Sequence, residues 1–171
     1  MTRRRRQTHL TDPRYRNNFL DANALDDCSE CGNKCINLIL ELYHSQPQTI
    51  SFILPWLVIH EIQHPNTPQN ITTRFNEFIY TIEVNLNLTE QNQHEEIKKV
   101  FKGNAVTNRH DNDATHIFES IKYGGGYFIT QDKRIIKKAA EVNGIIALTR
   151  HDYLDLLVKL NIIYESQWAS P

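Results

Sequence analysis

Residues 17–26 read NNFLDANALD, and residues 52–63 read FILPWLVIHEIQ. In the first, a short apolar run ends on Asp21. In the second, an apolar strand stops at Pro55, and a helical pattern carrying Glu61 begins at once. Strand, acid and helix in direct succession is the local grammar of an α/β fold, in which loops leave the carboxyl ends of parallel strands. The pattern recurs downstream: Asp113 opens DATHIFESIKY, and Asp132 follows YFIT.

Outward from these stretches, apolar runs alternate with helical patterns. The expected strands are Asn18 to Asp21, Thr49 to Leu54, Tyr127 to Thr130 and IIAL after Gly144. The expected helices are Lys34 to His44, Trp56 to His64, Arg74 to Asn85, Glu90 to Phe101 with Thr89 as N-cap, Asp113 to Lys122, Lys133 to Val142, and Tyr153 to Leu160. Residues 64–72 carry two prolines among Asn, Gln and Thr and are expected to form a loop, while Gly124 to Gly126 stop a helix. Thr149 and Asp152 have the spacing of a capping box. The resulting architecture is a parallel sheet of about four to five strands with helices on both faces.

With 171 residues and 40% hydrophobic content, the chain has the material for one domain with a substantial core. We divide it into a basic tail (1–16), a domain (17–165) and a short C-terminal tail (166–171). The tail holds six arginines against Asp12, a balance of plus five, which leaves minus six on the rest. Such an arm suits phosphate contact, though a solvated extension explains it as well. No apolar run reaches membrane-spanning length and no leader pattern is visible, so a cytoplasmic protein is expected.

Asp21, Glu61, Asp113 and Asp132 all fall where strands end or helices begin, so a parallel sheet places them near one edge. Each alone reads equally well as a helix cap. Carboxylates brought together among apolar segments need a compensating cation, and a divalent ion with oxygen ligands supplies one. Asp111 is a rival to Asp113. Cys28, Cys31 and Cys35 form a C-x2-C-x3-C cluster, but a structural zinc site takes four ligands, so helix-face packing is the expected role.

FLDANALD around Asp21, LVIHEI around Glu61, NDATHIFES around Asp113 and YFITQDKRI around Asp132, separated by 40, 52 and 19 residues, resemble the PIN-domain nucleases, including toxins of the VapC type. The resemblance spans about residues 17 to 160. It implies a three-layer PIN-like fold, a Mg²⁺ or Mn²⁺ site and hydrolysis of RNA phosphodiester bonds, with an antitoxin protein and a homodimer as partners. On that basis Asp21 and Asp113 are expected as direct ligands and Asp132 and Glu61 as water-mediated or second-metal ligands. Asn23 and Asp111 are expected in supporting positions, Asn23 orienting Asp21, and His116, Lys133 and Arg134 as substrate contacts. The competing expectation is a PIN-like module without catalysis that binds nucleic acid or protein.

Overall fold

The computed structural model describes residues 12–26, 30–45, 49–103 and 110–168; of residues 30–32 and 168, only the backbone is described. Five strands form one sheet: β1 (Asn17–Leu20), β2 (Ser51–Leu54), β3 (Ile79–Tyr80), β4 (Gly126–Ile129) and β5 (Ile145–Leu148). Their order is β3-β2-β1-β4-β5, and every pairing is parallel. Among the described residues, eight α-helices accompany them: α1 (Glu30–Ser45), α2 (Trp56–Ile62), α3 (Gln69–Phe75), α4 (Leu88–Lys102), α5 (Asp111–Lys122), α6 (Lys133–Ala139), α7 (Arg150–Lys159) and α8 (Glu165–Trp168).

The central strands β1 and β4 are buried on both sides because helices cover both sheet faces there, whereas edge strand β3 stays exposed. Side chains alternate across β1 and β4, so Leu20, Tyr127 and Ile129 join a core with α1, α2, α3 and α7. Phe19 and Phe128 point the other way, into a second core with α4, α5 and α6. Within the central strand the one buried polar residue, Asn18, is satisfied completely. Its amide donates to the carbonyls of Pro13, Arg16 and Ser51 at 3.1 Å each, and its oxygen accepts from the Tyr153 hydroxyl at 2.8 Å. That set of bonds pins α7 and the chain entry to β1.

Several local expectations are corrected. No helix spans residues 74–85. Pro68, with φ of −55°, sits at the N-cap of α3, which ends at Phe75 after burying Ile71 and Phe75. The chain then extends as edge strand β3, paired through Ile53↔Ile79 and Leu54↔Tyr80, in a segment rich in β-branched Ile79, Ile82 and Val84. Asn87, not Thr89, caps α4, exchanging bonds with Glu90 as a capping box. α1 begins at Glu30 and α5 at Asp111, both earlier than expected. Thr149 caps α7 as expected.

Gly124 to Gly126 do end a helix, and all three have positive φ. At Gly125, where φ is +62°, a Cβ would run into the Gly144 carbonyl oxygen, so the close approach of α5's exit to β5 requires glycine. Residues 12–16, assigned above to the tail, include a 3-10 turn (Pro13–Tyr15) with Pro13 buried, and Glu165–Trp168 is helical. Arg3 to Arg6 and Cys28 lie outside the described residues, as does the Cys31 side chain; Cys35 is buried in the core under α1. No described helix is long and apolar enough to cross a membrane.

Candidate metal centre

Asp21 leaves the sheet at the carboxyl end of β1, its backbone N–H still bonded to the Ile129 carbonyl of β4 at 3.0 Å. Because Leu20 pairs with Ile129, Asp21 and Thr130 emerge side by side. The Thr130 hydroxyl donates to Asp21 Oδ2 at 2.6 Å, and the Ala22 N–H donates to Oδ1 at 2.8 Å. Asp21 is 4% exposed, and burial pushes its pKa up despite the nearby His116 charge and these bonds. A carboxylate desolvated in this way stands to gain from a cation.

Glu61 reaches the same point from α2, and His116 from α5, the two helices meeting over the sheet edge. Ligand atoms of Asp21, Glu61 and His116 lie within 4.8 Å of one another. His116 Nε2 donates to Glu61 Oε1 at 3.0 Å. Burial pulls the His116 pKa down, but the Glu61 bond and the charges of Asp21, Glu61 and Glu119 outweigh it and hold the pKa above the ordinary histidine value. The His116 ring therefore sits between Asp21 and Glu61, in the place a metal cation would balance.

Asp113 and Asp132 are not part of that trio. Asp113 Oδ2 accepts from Arg134 Nη2 at 2.5 Å, and Asp132 Oδ2 lies 3.5 Å from the same nitrogen. Arg134 also bonds His110. Burial raises the Asp113 pKa, against the pull of Arg134 and His116. The first turn of α6 belongs to Asp132, whose carboxylate accepts from the Arg134 and Ile135 N–H groups at 2.7 and 3.3 Å. It is a helix cap that also lies beside Arg134. Asp113 carries the His116 charge in common with Asp21, so the two acid pairs share one electrostatic neighbourhood.

The remaining residues divide clearly. Asn23 does not touch Asp21 directly; its Oδ1 accepts from the Gln131 N–H at 2.8 Å and lies 3.2 Å from the Thr130 hydroxyl. It braces the loop after β1 against the loop after β4. Asp111 begins α5, gives its carbonyl to Thr115, and exerts its charge on His94 of α4 rather than on the acids. Lys133 is exposed at the start of α6, and Arg134 is engaged by two acids and His110. His116 belongs to the acid trio itself, not to its periphery.

Two contributors escaped the sequence reading. Thr130 clamps Asp21 and accepts the Asp132 N–H at 3.1 Å, linking the two acid pairs through one hydroxyl. The buried Arg150 side chain donates to the Ala24 carbonyl at 3.1 Å and to that of Asp26, fixing the loop that begins at Asp21. A threonine at a strand end and an arginine at a helix start are common, and neither carries a legible signal. Beside the trio lies an open groove of ≈ 580 Å³ lined by Asn23, His60, Glu61, His64, Thr67 and Asn112.

Two carboxylates and an imidazole converging at one point fit a divalent ion, and the nitrogen donor suits Mn²⁺ better than Mg²⁺. His116 must give up its Nε2 proton to become a ligand, so binding releases a proton. Metal affinity is expected to rise with pH, because His116 and Asp21 both hold their protons to higher pH than an ordinary histidine or carboxylate does. Calorimetric titration with Mn²⁺ in buffers of different ionisation enthalpy measures both effects. Affinity that does not change with pH would exclude His116 from the ligand set. In comparison with known proteins, no family model matches the chain and no curated protein matches its sequence.

Proposed function

We propose that this chain is a Mg²⁺- or Mn²⁺-dependent endoribonuclease of PIN-domain type. The observation that carries the reading is the convergence of Asp21, Glu61 and His116 at the carboxyl end of the central strand. There a parallel α/β sheet presents its ligands. A second acid pair, Asp113 and Asp132, lies within electrostatic reach. The resemblance of the sequence around Asp21, Glu61, Asp113 and Asp132 to PIN-domain nucleases is the reason for naming that type.

In this proposal Asp21, Glu61 and His116 hold the ion, which when bound acidifies water and neutralises charge on the departing oxygen. Thr130 keeps Asp21 aligned, and Asn23 keeps the two loops together. Arg134, drawn toward Asp113 and Asp132, offers a guanidinium to the phosphate as RNA enters. The adjoining groove, with its histidine and amide side chains, has room for a single strand. A protein antitoxin and a homodimer belong to the same proposal; exposed Ile79, Tyr80, Ile82 and Val84 offer apolar surface for such a partner.

Purified protein is expected to cut labelled single-stranded RNA with Mn²⁺ or Mg²⁺ and to stop in chelator. One observation favours a second reading, a binding module without catalysis. Arg134 already pairs with Asp113 and Asp132, and His116 already pairs with Glu61. RNA binding that is unaffected by chelator, with no cleavage under any divalent ion, would decide for that reading.

A further inference from the structure

A second cavity, of ≈ 190 Å³, opens on the other side of the α2–α5 seam. Its walls include Trp56, Phe118 and Tyr123, with Ile82 and Val84 at its exposed mouth and Glu119 lining it. Glu119 is 3% exposed. Its Oε2 accepts a long bond of 3.4 Å from the Leu57 N–H, and its Oε1 is shielded from solvent with no partner. An orphan carboxylate oxygen is costly to bury, so one that persists beside a cavity points to a donor that arrives with a ligand. Lys122, the nearest lining cation, is engaged by Glu90 at 3.3 Å, and Glu83 adds a second negative charge to the wall.

We propose that this cavity is a nucleobase pocket that accepts a guanine of the RNA, read by the Glu119 carboxylate. The inference rests on the ribonuclease reading and names part of its substrate preference. Flat aromatic and aliphatic walls suit an unstacked base, and single-stranded RNA is recognised through stacking and through base edges. Guanine alone among the four bases presents two adjacent donors, N1–H and N2–H₂, on one edge, matching the two oxygens of a carboxylate. Uracil would set carbonyl oxygens against Glu119, and adenine and cytosine each pair one amine with an acceptor. Glu119 follows His116 by three residues on α5, about 4.5 Å along the helix axis, so the pocket and the metal centre are neighbours on one helix.

The test is a titration of the full chain, free of metal in chelator, with each of the four nucleoside monophosphates. Binding is followed by Trp56 fluorescence in a Trp168→Phe background. Guanosine monophosphate is expected to bind at least tenfold more tightly than the others. Glu119→Gln keeps the shape and the acceptor for Leu57 but turns an amide donor into the pocket, and it is expected to lose at least tenfold in guanosine affinity. Val84→Trp, which fills the mouth and leaves Glu119 in place, is expected to do the same. Equal binding of all four nucleotides, no binding of any, or unchanged affinity in Glu119→Gln with its fold intact would overturn the proposal. Cleavage of a single-stranded RNA containing all four bases with Mn²⁺ is scored separately. Cleavage without guanosine binding removes the pocket and leaves the nuclease; guanosine binding without any cleavage does the reverse.

Discussion

Asp21→Asn is expected to abolish divalent-ion-dependent cleavage of single-stranded RNA while leaving the fold intact. The amide keeps the size of the side chain and removes the charge that would hold the ion. The local bonds survive the change. The asparagine oxygen can accept the Ala22 N–H, and its NH₂ can donate to the Thr130 hydroxyl, whose own proton then turns to Asn23 Oδ1, 3.2 Å away.

Metal-free stability at neutral pH is expected to rise in the variant. The pKa of buried Asp21 is raised, so the folded state holds its proton to higher pH than the unfolded chain does. The stability this group contributes is complete below the ordinary carboxylate pKa and is lost as pH rises through the folded value. At neutral pH the charged form is a net cost that asparagine removes. Thermal unfolding in chelator measures the stability, and gel analysis of labelled RNA measures activity. Wild-type cleavage by the variant in the same buffer would sink the assignment of Asp21.

The second large effect separates two neighbouring aspartates. Asp113→Asn is expected to lower the cleavage rate at least about tenfold by removing the carboxylate that holds Arg134, and Asp111→Asn to lower it by less. Both sit in the first turn of α5, since the helix starts at Asp111, two residues earlier than its apolar pattern indicated. Their directions differ: Asp113 turns toward Arg134, His116 and Asp132, whereas Asp111 acts on His94 across α4. Residues two apart on a helix do not share a face. Single-turnover kinetics with RNA in excess of its binding constant isolates the chemical step. Equal losses from both variants would place Asp111 in the site as well.

Glu119 carries its own pH signature. Burial raises its pKa from the model-peptide value to about 7, opposed by the Leu57 N–H and His116. By the same linkage, it adds to the loss of metal-free stability as the pH rises through neutrality.

Much of the architecture was legible because the sheet is buried on both faces. Phe19–Leu20, Phe52 to Leu54 and Tyr127 to Ile129 are continuous apolar runs, and a parallel sheet under two helical layers buries them, Ile53 alone only in part. The four acids were legible for a related reason: polar residues that interrupt those runs must fall at the sheet edge. Edge strand β3 was not legible, because two residues become a strand only by pairing with β2, and their local sequence continues a plausible helix. Asn87 over Thr89 as a cap was likewise decided by which side chain met the Glu90 N–H.

What the sequence by itself determined is a parallel sheet between helices and the placing of Asp21, Glu61, Asp113 and Asp132 at strand ends and helix starts. Periodicity is a local property, and these features follow from it. Tertiary structure alone decided how the acids are grouped. The meeting of α2 and α5 puts His116 between Asp21 and Glu61, and the start of α6 sets Arg134 between Asp113 and Asp132. A histidine on an apolar helix face has the same local pattern whether it packs in a core or faces two carboxylates. Only the crossing of helices 55 residues apart in the chain distinguishes the two.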